Sequence, residues 1–257
     1  MIPIKSEKEI NIMREGSKIL AMIMDKIKKM VAPGITGNEL NRAAEALISD
    51  YKAEPAFKGY AEAKNKKAKP FPAALCVSIN NVVVHSIPSD YKFQNGDIVS
   101  LDLGVKYKGF YADMAVTMPV GEIDPEVNRL IKTTKKSLKI GLNKAKVGNT
   151  FGDIGNTIQR FVEYQGFNVV RSLCGHGIGT ELHEEPQIFN FGKRRSGEEI
   201  KPGMVFCIEP MVAMGDAKLI QSPDGYGYET KDGSLTAHFE HTITITKNGT
   251  HQVLTKP

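Results

Sequence analysis

Hydrophobic residues recur at helical spacing near the start of the chain. Ile10, Met13, Ile19, Leu20, Ile23, Met24 and Ile27 fall on one stripe, which predicts an amphipathic helix. Ser6 followed by Glu9 fits a capping box at its start, and Pro33-Gly34 is expected to end the element. Thr36 with Glu39 repeats the signature and opens a second helix to about Tyr51, followed by a lysine-rich loop. From Leu75 the texture changes. The runs LCVSI, VVV, IVSLDLGV and AVTM are rich in branched residues and predict strands. Asp124-Pro125-Glu126 starts a long helix, with aspartate as cap and proline in the first turn. Thr150 and Asp153 open a shorter one that stops at Gly166. A second strand-rich region runs from Phe167 to the end, its last two strands joined by a hairpin turn at Asn248-Gly249.

The order helix, helix, strands therefore occurs twice, and short segments echo each other. Gly34-Ile-Thr-Gly-Asn-Glu-Leu resembles Gly148-Asn-Thr-Phe-Gly-Asp-Ile, and Gly96-Asp-Ile-Val-Ser-Leu-Asp102 resembles Gly203-Met-Val-Phe-Cys-Ile-Glu209. In the second pair an acid ends the same hydrophobic pattern. The expectation is an α+β fold of two related halves, roughly 1–120 and 121–257, forming a single catalytic domain. Helices would cover one side of a curved, largely antiparallel sheet, with an acid from each half pointing into a shared centre.

Composition narrows the setting. The chain has 257 residues and is 41% hydrophobic and 25% charged, an ordinary globular balance. Cys76, Cys174 and Cys207 are odd in number and widely spaced, which argues against a disulfide framework and for a reducing compartment. Neither a signal-peptide core nor a membrane-length apolar run is visible, so a cytoplasmic protein is expected. The net charge of +5 is concentrated: Lys58, Lys64, Lys66, Lys67 and Lys69 stand against Glu62 alone. That argues against a diffuse DNA-binding surface and marks one basic loop.

The chemistry lies in acids placed on apolar strands. Asp102 and Asp113 flank Lys106-Tyr-Lys-Gly109, which reads as a tight turn centred between them. A simple hairpin would set the two carboxylates directly opposite on one face, about 5 Å apart. Bare carboxylates at that distance repel unless a cation sits between them or one stays protonated. Glu209, in MVFCIEPMV, and Glu240, in AHFEHTITI, raise the same problem. His176, between glycines in LCGHGIG, supplies a nitrogen donor, while His183, opening His183-Glu-Glu-Pro, and His85, after Val82-Val-Val, are further histidines. Four carboxylates and an imidazole make an oxygen-rich site suited to manganese, iron(II), cobalt or zinc. A pair of such ions activates water at neutral pH, which is hydrolase chemistry. HExxH, CxxC, Walker and GxSxG motifs are absent, and a Cys174–His176 nucleophile would leave the four acids unexplained.

With Asp102 and Asp113, the CGHGIGxxxHEEP stretch from Cys174, FCIEPM from Phe206 and FEHTI from Phe239, the chain resembles the type I methionine aminopeptidases over nearly its whole length. The resemblance implies the pita-bread fold with pseudo-twofold halves. It also implies removal of the initiator methionine from nascent polypeptide N-termini when the second residue is small. It implies two divalent metal ions held by Asp102, Asp113, His176, Glu209 and Glu240, with Glu209 handling the proton of the attacking water. His183 would stabilise the tetrahedral intermediate and His85 would assist near the leaving group. Phe71, Cys76, Leu182 and Tyr226 would wall the methionine pocket.

The sequence departs from the family in places. Met114 follows the second aspartate where many relatives have threonine, which puts the surroundings of the metals in question. Leu182 and Tyr226 replace the phenylalanine and tryptophan often found there, which would widen the pocket. The Lys64–Lys69 segment resembles an insertion, either a solvated loop or a docking site for ribosomal RNA through phosphate contacts. A proline-specific peptidase of the same fold is the alternative within hydrolases, but such enzymes usually carry an N-terminal domain that a first helix at Ser6 leaves no room for. A non-catalytic relative would be expected to have lost metal ligands. Membrane and DNA partners are not expected, and a monomer is.

Overall fold

The computed structural model describes residues 2–61 and 69–256. Three of the basic-loop lysines, Lys64, Lys66 and Lys67, lie outside the described residues. The first half contains α1 (Glu7–Lys28), α2 (Gly37–Asp50), β1 (Glu54–Pro55), β2 (Leu75–Ile79), β3 (Val82–Val84), β4 (Ile98–Tyr107) and β5 (Phe110–Pro119). The second half opens with α3 (Pro125–Lys144) and α4 (Phe151–Tyr164). Strands β6 (Asn168–Val169), β7 (Gly175–Gly177), β8 (Glu184–Ile188), β9 (Val205–Ile208) and β10 (Met211–Ala213) come next. The chain ends with β11 (Leu219–Gln221), β12 (Tyr228–Thr230), β13 (Thr236–His238), β14 (His241–Ile245) and β15 (His251–Val253).

The predicted caps form. Glu9 accepts from the Ser6 backbone N–H at 2.7 Å, and Glu39 accepts from Thr36 at 2.8 Å. Asp124 caps α3 through Glu126 N–H, and Asp153 accepts from Thr150 N–H at the start of α4. These contacts satisfy backbone donors that the first helical turn leaves open. The first helix stops at Lys28, before Pro33-Gly34. The intervening residues bend away because Gly34 N–H donates to Phe93 O and Phe93 N–H to Ile35 O, tying the chain to a distant segment.

Each helix pair buries its apolar stripe against its own strands. Leu20, Ile23, Met24 and Ile27 of α1 pack with Leu40 and Ile48 of α2 on Leu75, Leu101 and Leu103. Leu130, Leu138 and Leu142 of α3 pack with Ile154 and Ile158 of α4 on Phe206, Ile208 and Ile243. In each succession, then, a pair of helices packs on strands. The inter-strand pairings are antiparallel, including β4–β5 and the sheet ordered β15-β14-β9-β7-β8. This is the expected α+β architecture.

Two turn expectations need correction. The β4–β5 register pairs Tyr107 with Phe110, so the loop is Lys108-Gly109 alone, with φ of 48° and 85°. Positive φ at both central residues suits a tight hairpin. The turn centre therefore lies one residue later than the sequence reading assumes. Asp102 pairs with Ala115 and Asp113 with Gly104, so the two acids are diagonal neighbours on one face and not directly opposite. At the last hairpin, Thr246 N–H donates to Thr250 O, and Gly249 N–H donates back to Thr246 O. The turn is the three-residue Lys247-Asn248-Gly249 with Gly249 left-handed at φ 77°, and not a two-residue Asn-Gly turn.

Candidate metal centre

The free edge of β5, the strand that carries Asp113, is met by Glu240 and the start of β14. Thr242 Oγ1 accepts from Asp113 N–H at 3.0 Å and donates to Asp113 O at 2.7 Å. Glu240 N–H donates to Ala115 O at 2.9 Å, and Ala115 is the register partner of Asp102. Backbone bonds therefore bring Glu240 to both aspartates. One carboxylate oxygen each from Asp102, Asp113 and Glu240 lie within 4.8 Å of one another. All three residues are buried, and Asp102 Oδ1, Asp113 Oδ1 and Glu240 Oε1 have no hydrogen-bond partner.

His176 approaches from β7. Its Nδ1 lies 2.9 Å from Gly177 O, so an Nδ1–H donates there and leaves the Nε2 lone pair facing the acids. Nε2 is 3.7 Å from Glu209 Oε1 and 3.8 Å from Glu240 Oε1. Burial, then the nearby His183, pushes the His176 pKa down to about 3, which keeps the ring neutral. The flanking glycines serve close strand approach. A Cβ on Gly175 would sit 2.4 Å from Cys207 O, and one on Gly177 would sit 2.1 Å from Glu185 O.

The electrostatics call for a cation. Burial raises the pKa of all four acids. For Asp113 the charges of Glu240, Asp102 and Glu209 add to burial. For Glu240 those of Glu209 and Asp102 do. Partnerless oxygens, mutual repulsion and a neutral imidazole lone pair at one point fit divalent metal ions.

Further candidates surround this centre in a cleft of about 410 Å³. Its lining includes His85, His183, Phe71, Cys76, Leu182 and Tyr226 together with all five metal-ligand candidates. Cys76 pairs in register with Asp102, which sets the apolar wall directly beside the acids. The rings of Phe71 and Tyr226 meet edge to face at 5.7 Å, and Tyr226 Oη donates to Pro70 O at 3.3 Å. His85 has φ +62° just after β3 and opens on the cleft. Although solvent reaches this ring from the cleft, crowding on its other sides, followed by His183 and His238, lowers its pKa. Lys69 also lines the cleft. Met114 sits on the opposite face of β5 in the α1–α2 core cluster, so it does not touch the acids as its neighbourhood in sequence suggested. The Cys174 thiol is pushed up to about 11 by burial and Glu209, which makes it a poor nucleophile.

Three neighbours escaped the sequence reading. The Cys207 thiol belongs to a donor group with His176 and Glu240 within 4.8 Å. His238 Nε2 lies 3.5 Å from Glu209 Oε2. Period-two alternation was the available signal for both, since Cys207 and His238 stand two residues before Glu209 and Glu240. Tyr60 Oη lies 2.7 Å from His183 Nδ1 and fixes that ring, and no local pattern marks it.

A sequence profile described as metallopeptidase family M24 matches residues 11–247. The chain belongs to metallopeptidase family M24. Within M24 it is 45% identical to a methionine aminopeptidase of Clostridium perfringens, over 97% of each chain. It superposes on the crystal structure of methionine aminopeptidase from Thermotoga maritima with a TM-score of 0.95 and 41% identity, covering 100% of both chains. A more distant M24-like fold, the prolidase of Pyrococcus horikoshii, gives a TM-score of 0.75 at 25% identity. The chain covers only 63% of that prolidase, against 98% of itself. As a member of M24 the chain is a metallopeptidase with the pita-bread fold.

Proposed function

We propose that this chain is a methionine aminopeptidase that removes the initiator methionine from new polypeptides when the second residue is small. The observation that carries the reading is the meeting of buried, partnerless carboxylate oxygens with an apolar pocket in one cleft. Full-length similarity to methionine aminopeptidases supports it over a proline-specific activity, for which the relatives are more distant and longer.

In this reading Asp102 and Asp113 would hold a first divalent ion and reach a second, His176 and Glu209 would complete the second, and Glu240 would serve both. Bound there, the ions would polarise the scissile carbonyl and acidify a water to a pKa near 7. The remaining work belongs to side chains. Glu209 takes the water proton and returns it to the leaving amine. The Tyr60 contact orients His183 so that its Nε2 meets the carbonyl oxygen as charge develops. His85 stands near the leaving nitrogen. Phe71, Cys76, Leu182 and Tyr226 enclose the thioether side chain, where soft apolar walls suit sulfur. The metals in question are cobalt, manganese, iron(II) or zinc.

The test is hydrolysis of Met-Ala peptides against Xaa-Pro peptides, before and after chelation and with each metal restored. Metal-dependent release of methionine supports the proposal, and preferential cleavage of Xaa-Pro peptides refutes it. We place the enzyme in the cytoplasm, in keeping with three free cysteines and with no described helix long and apolar enough to cross a membrane. For ribosome docking through Lys64, Lys66, Lys67 and Lys69, co-sedimentation of the charge-reversed variant decides: unchanged binding ends the idea.

A further inference from the structure

The two oxygens of Glu209 have different neighbours. Oε1 faces His176, and Oε2 faces His238 Nε2 at 3.5 Å. His238 ends β13 and its residue is 1% exposed. Neither of its ring nitrogens has a hydrogen-bond partner. The ring is held in place by its backbone: His238 N–H donates to Thr117 Oγ1 at 2.7 Å, and Thr117 Oγ1 donates to His238 O at 2.9 Å. The register with β10 pairs it with Met211. A histidine serving only as filler would leave two buried polar atoms unsatisfied, where leucine would leave none. A carboxylate oxygen stands within a small movement of a hydrogen bond to one of them.

We propose that His238 is a positioning residue for Glu209. Its Nε2–H donates to Glu209 Oε2, stops the carboxylate from rotating, and presents Oε1 on the His176 side. His238 is not among the residues that line the cleft. The proposal rests on the reading of Glu209 as a metal ligand. It adds that one of the ligand's two oxygens is reserved for a protein donor, which fixes the direction in which the other can bind. A carboxylate free to turn would sample several geometries and hold the ion less well.

Three variants of the full chain test this. His238→Gln keeps an N–H near the position of Nε2, His238→Asn keeps one only near Nδ1, and His238→Leu fills the space with no donor. Calorimetric titration of the metal-free proteins with Mn²⁺ reads metal affinity, and peptide kinetics at saturating metal separate kcat from KM. His238→Leu and His238→Asn are expected to weaken Mn²⁺ binding by about 10–100-fold and to lower kcat, with KM for a Met-Ala peptide within about twofold. His238→Gln is expected to recover most of both. If all three variants bind Mn²⁺ like the parent, or if Gln is as impaired as Leu and Asn, the positioning role is wrong. A fall in melting temperature with unchanged Mn²⁺ affinity means mere packing and also overturns it. If the parent chain binds no Mn²⁺, the metal-centre reading falls and takes this proposal with it. Should His238→Leu fail to fold, the Gln–Asn comparison still decides.

Discussion

Replacing Asp113 with asparagine should make the metal-free protein more stable while destroying its metal site. Asp113 is buried, and the carboxylates of Asp102 and Glu240 lie within 4.8 Å of it. Two unit charges at that separation repel by roughly 3.5 kcal/mol at an effective dielectric constant of 20. Partial protonation of the cluster relieves much of this, so a net gain of about 1–2 kcal/mol is expected in the metal-free state. An asparagine Nδ2–H would also find waiting acceptors, because Asp102 Oδ1 and Glu240 Oε1 have no partner. For a domain of this size the gain corresponds to a melting temperature about 2–8 °C higher. Scanning calorimetry at pH 7.5 in chelator, repeated with excess Mn²⁺, measures both sides: the variant should melt above the parent without metal and below it with metal. The pH dependence follows from the same cluster. The folded-state pKa values of these acids are raised, so the metal-free folded protein binds more protons than the unfolded chain. Stability without metal should therefore increase as the pH falls from 7.5 towards the ordinary carboxylate range, and the gain is lost as the pH rises through the folded values. With metal the trend reverses, because protons compete with the ion for the same oxygens. A metal-free Asp113→Asn protein that melts at or below the parent would refute the view of these acids as uncompensated charge.

Glu209→Gln should lower kcat by at least about 100-fold while a methionine-based inhibitor still binds in the pocket, as read by inhibition of residual activity or by calorimetry. Gly177→Ala would place a Cβ 2.1 Å from Glu185 O, so β7 must shift and carry His176 with it; loss of Mn²⁺ affinity with the rest of the fold intact is the expected result. Lys5 and Glu184 form a buried ion pair one residue from His183. Lys5→Ala leaves that carboxylate with only the neutral donors Glu181 N–H and Thr180 Oγ1 and should cost about 3 kcal/mol by urea unfolding, and a change within 0.5 kcal/mol would contradict it. Widening at Leu182 should let leucine compete with methionine at the substrate N-terminus, and Leu182→Phe should sharpen the preference; unchanged Met/Leu ratios of kcat/KM would show that this wall does not set selectivity.

The local features of this chain could be read from nearest neighbours. Ser6/Glu9, Thr36/Glu39 and Asp124-Pro125 are caps whose bonds span at most three residues, so their sequence is sufficient. Asp102, Glu209 and Glu240 could be picked out because a charge inside an apolar strand has no local remedy. Register was less legible. Moving the β4–β5 turn by a single residue slides Asp113 from opposite Asp102 to opposite Gly104, and the turn that goes with the observed register sets both Lys108 and Gly109 left-handed.

What the sequence alone determined was the list of side chains that need a partner and the pair of helix–sheet units that carry them, because both depend on burial and on short-range periodicity. The tertiary structure alone decided which groups answer one another: Thr242 clasping Asp113, Glu240 hanging from Ala115, Tyr60 on His183 and His238 behind Glu209. Those contacts link residues more than a hundred positions apart, apart from the pairing of Glu209 with His238. Their geometry is set by how two separately packed halves meet, which no local pattern along the chain encodes.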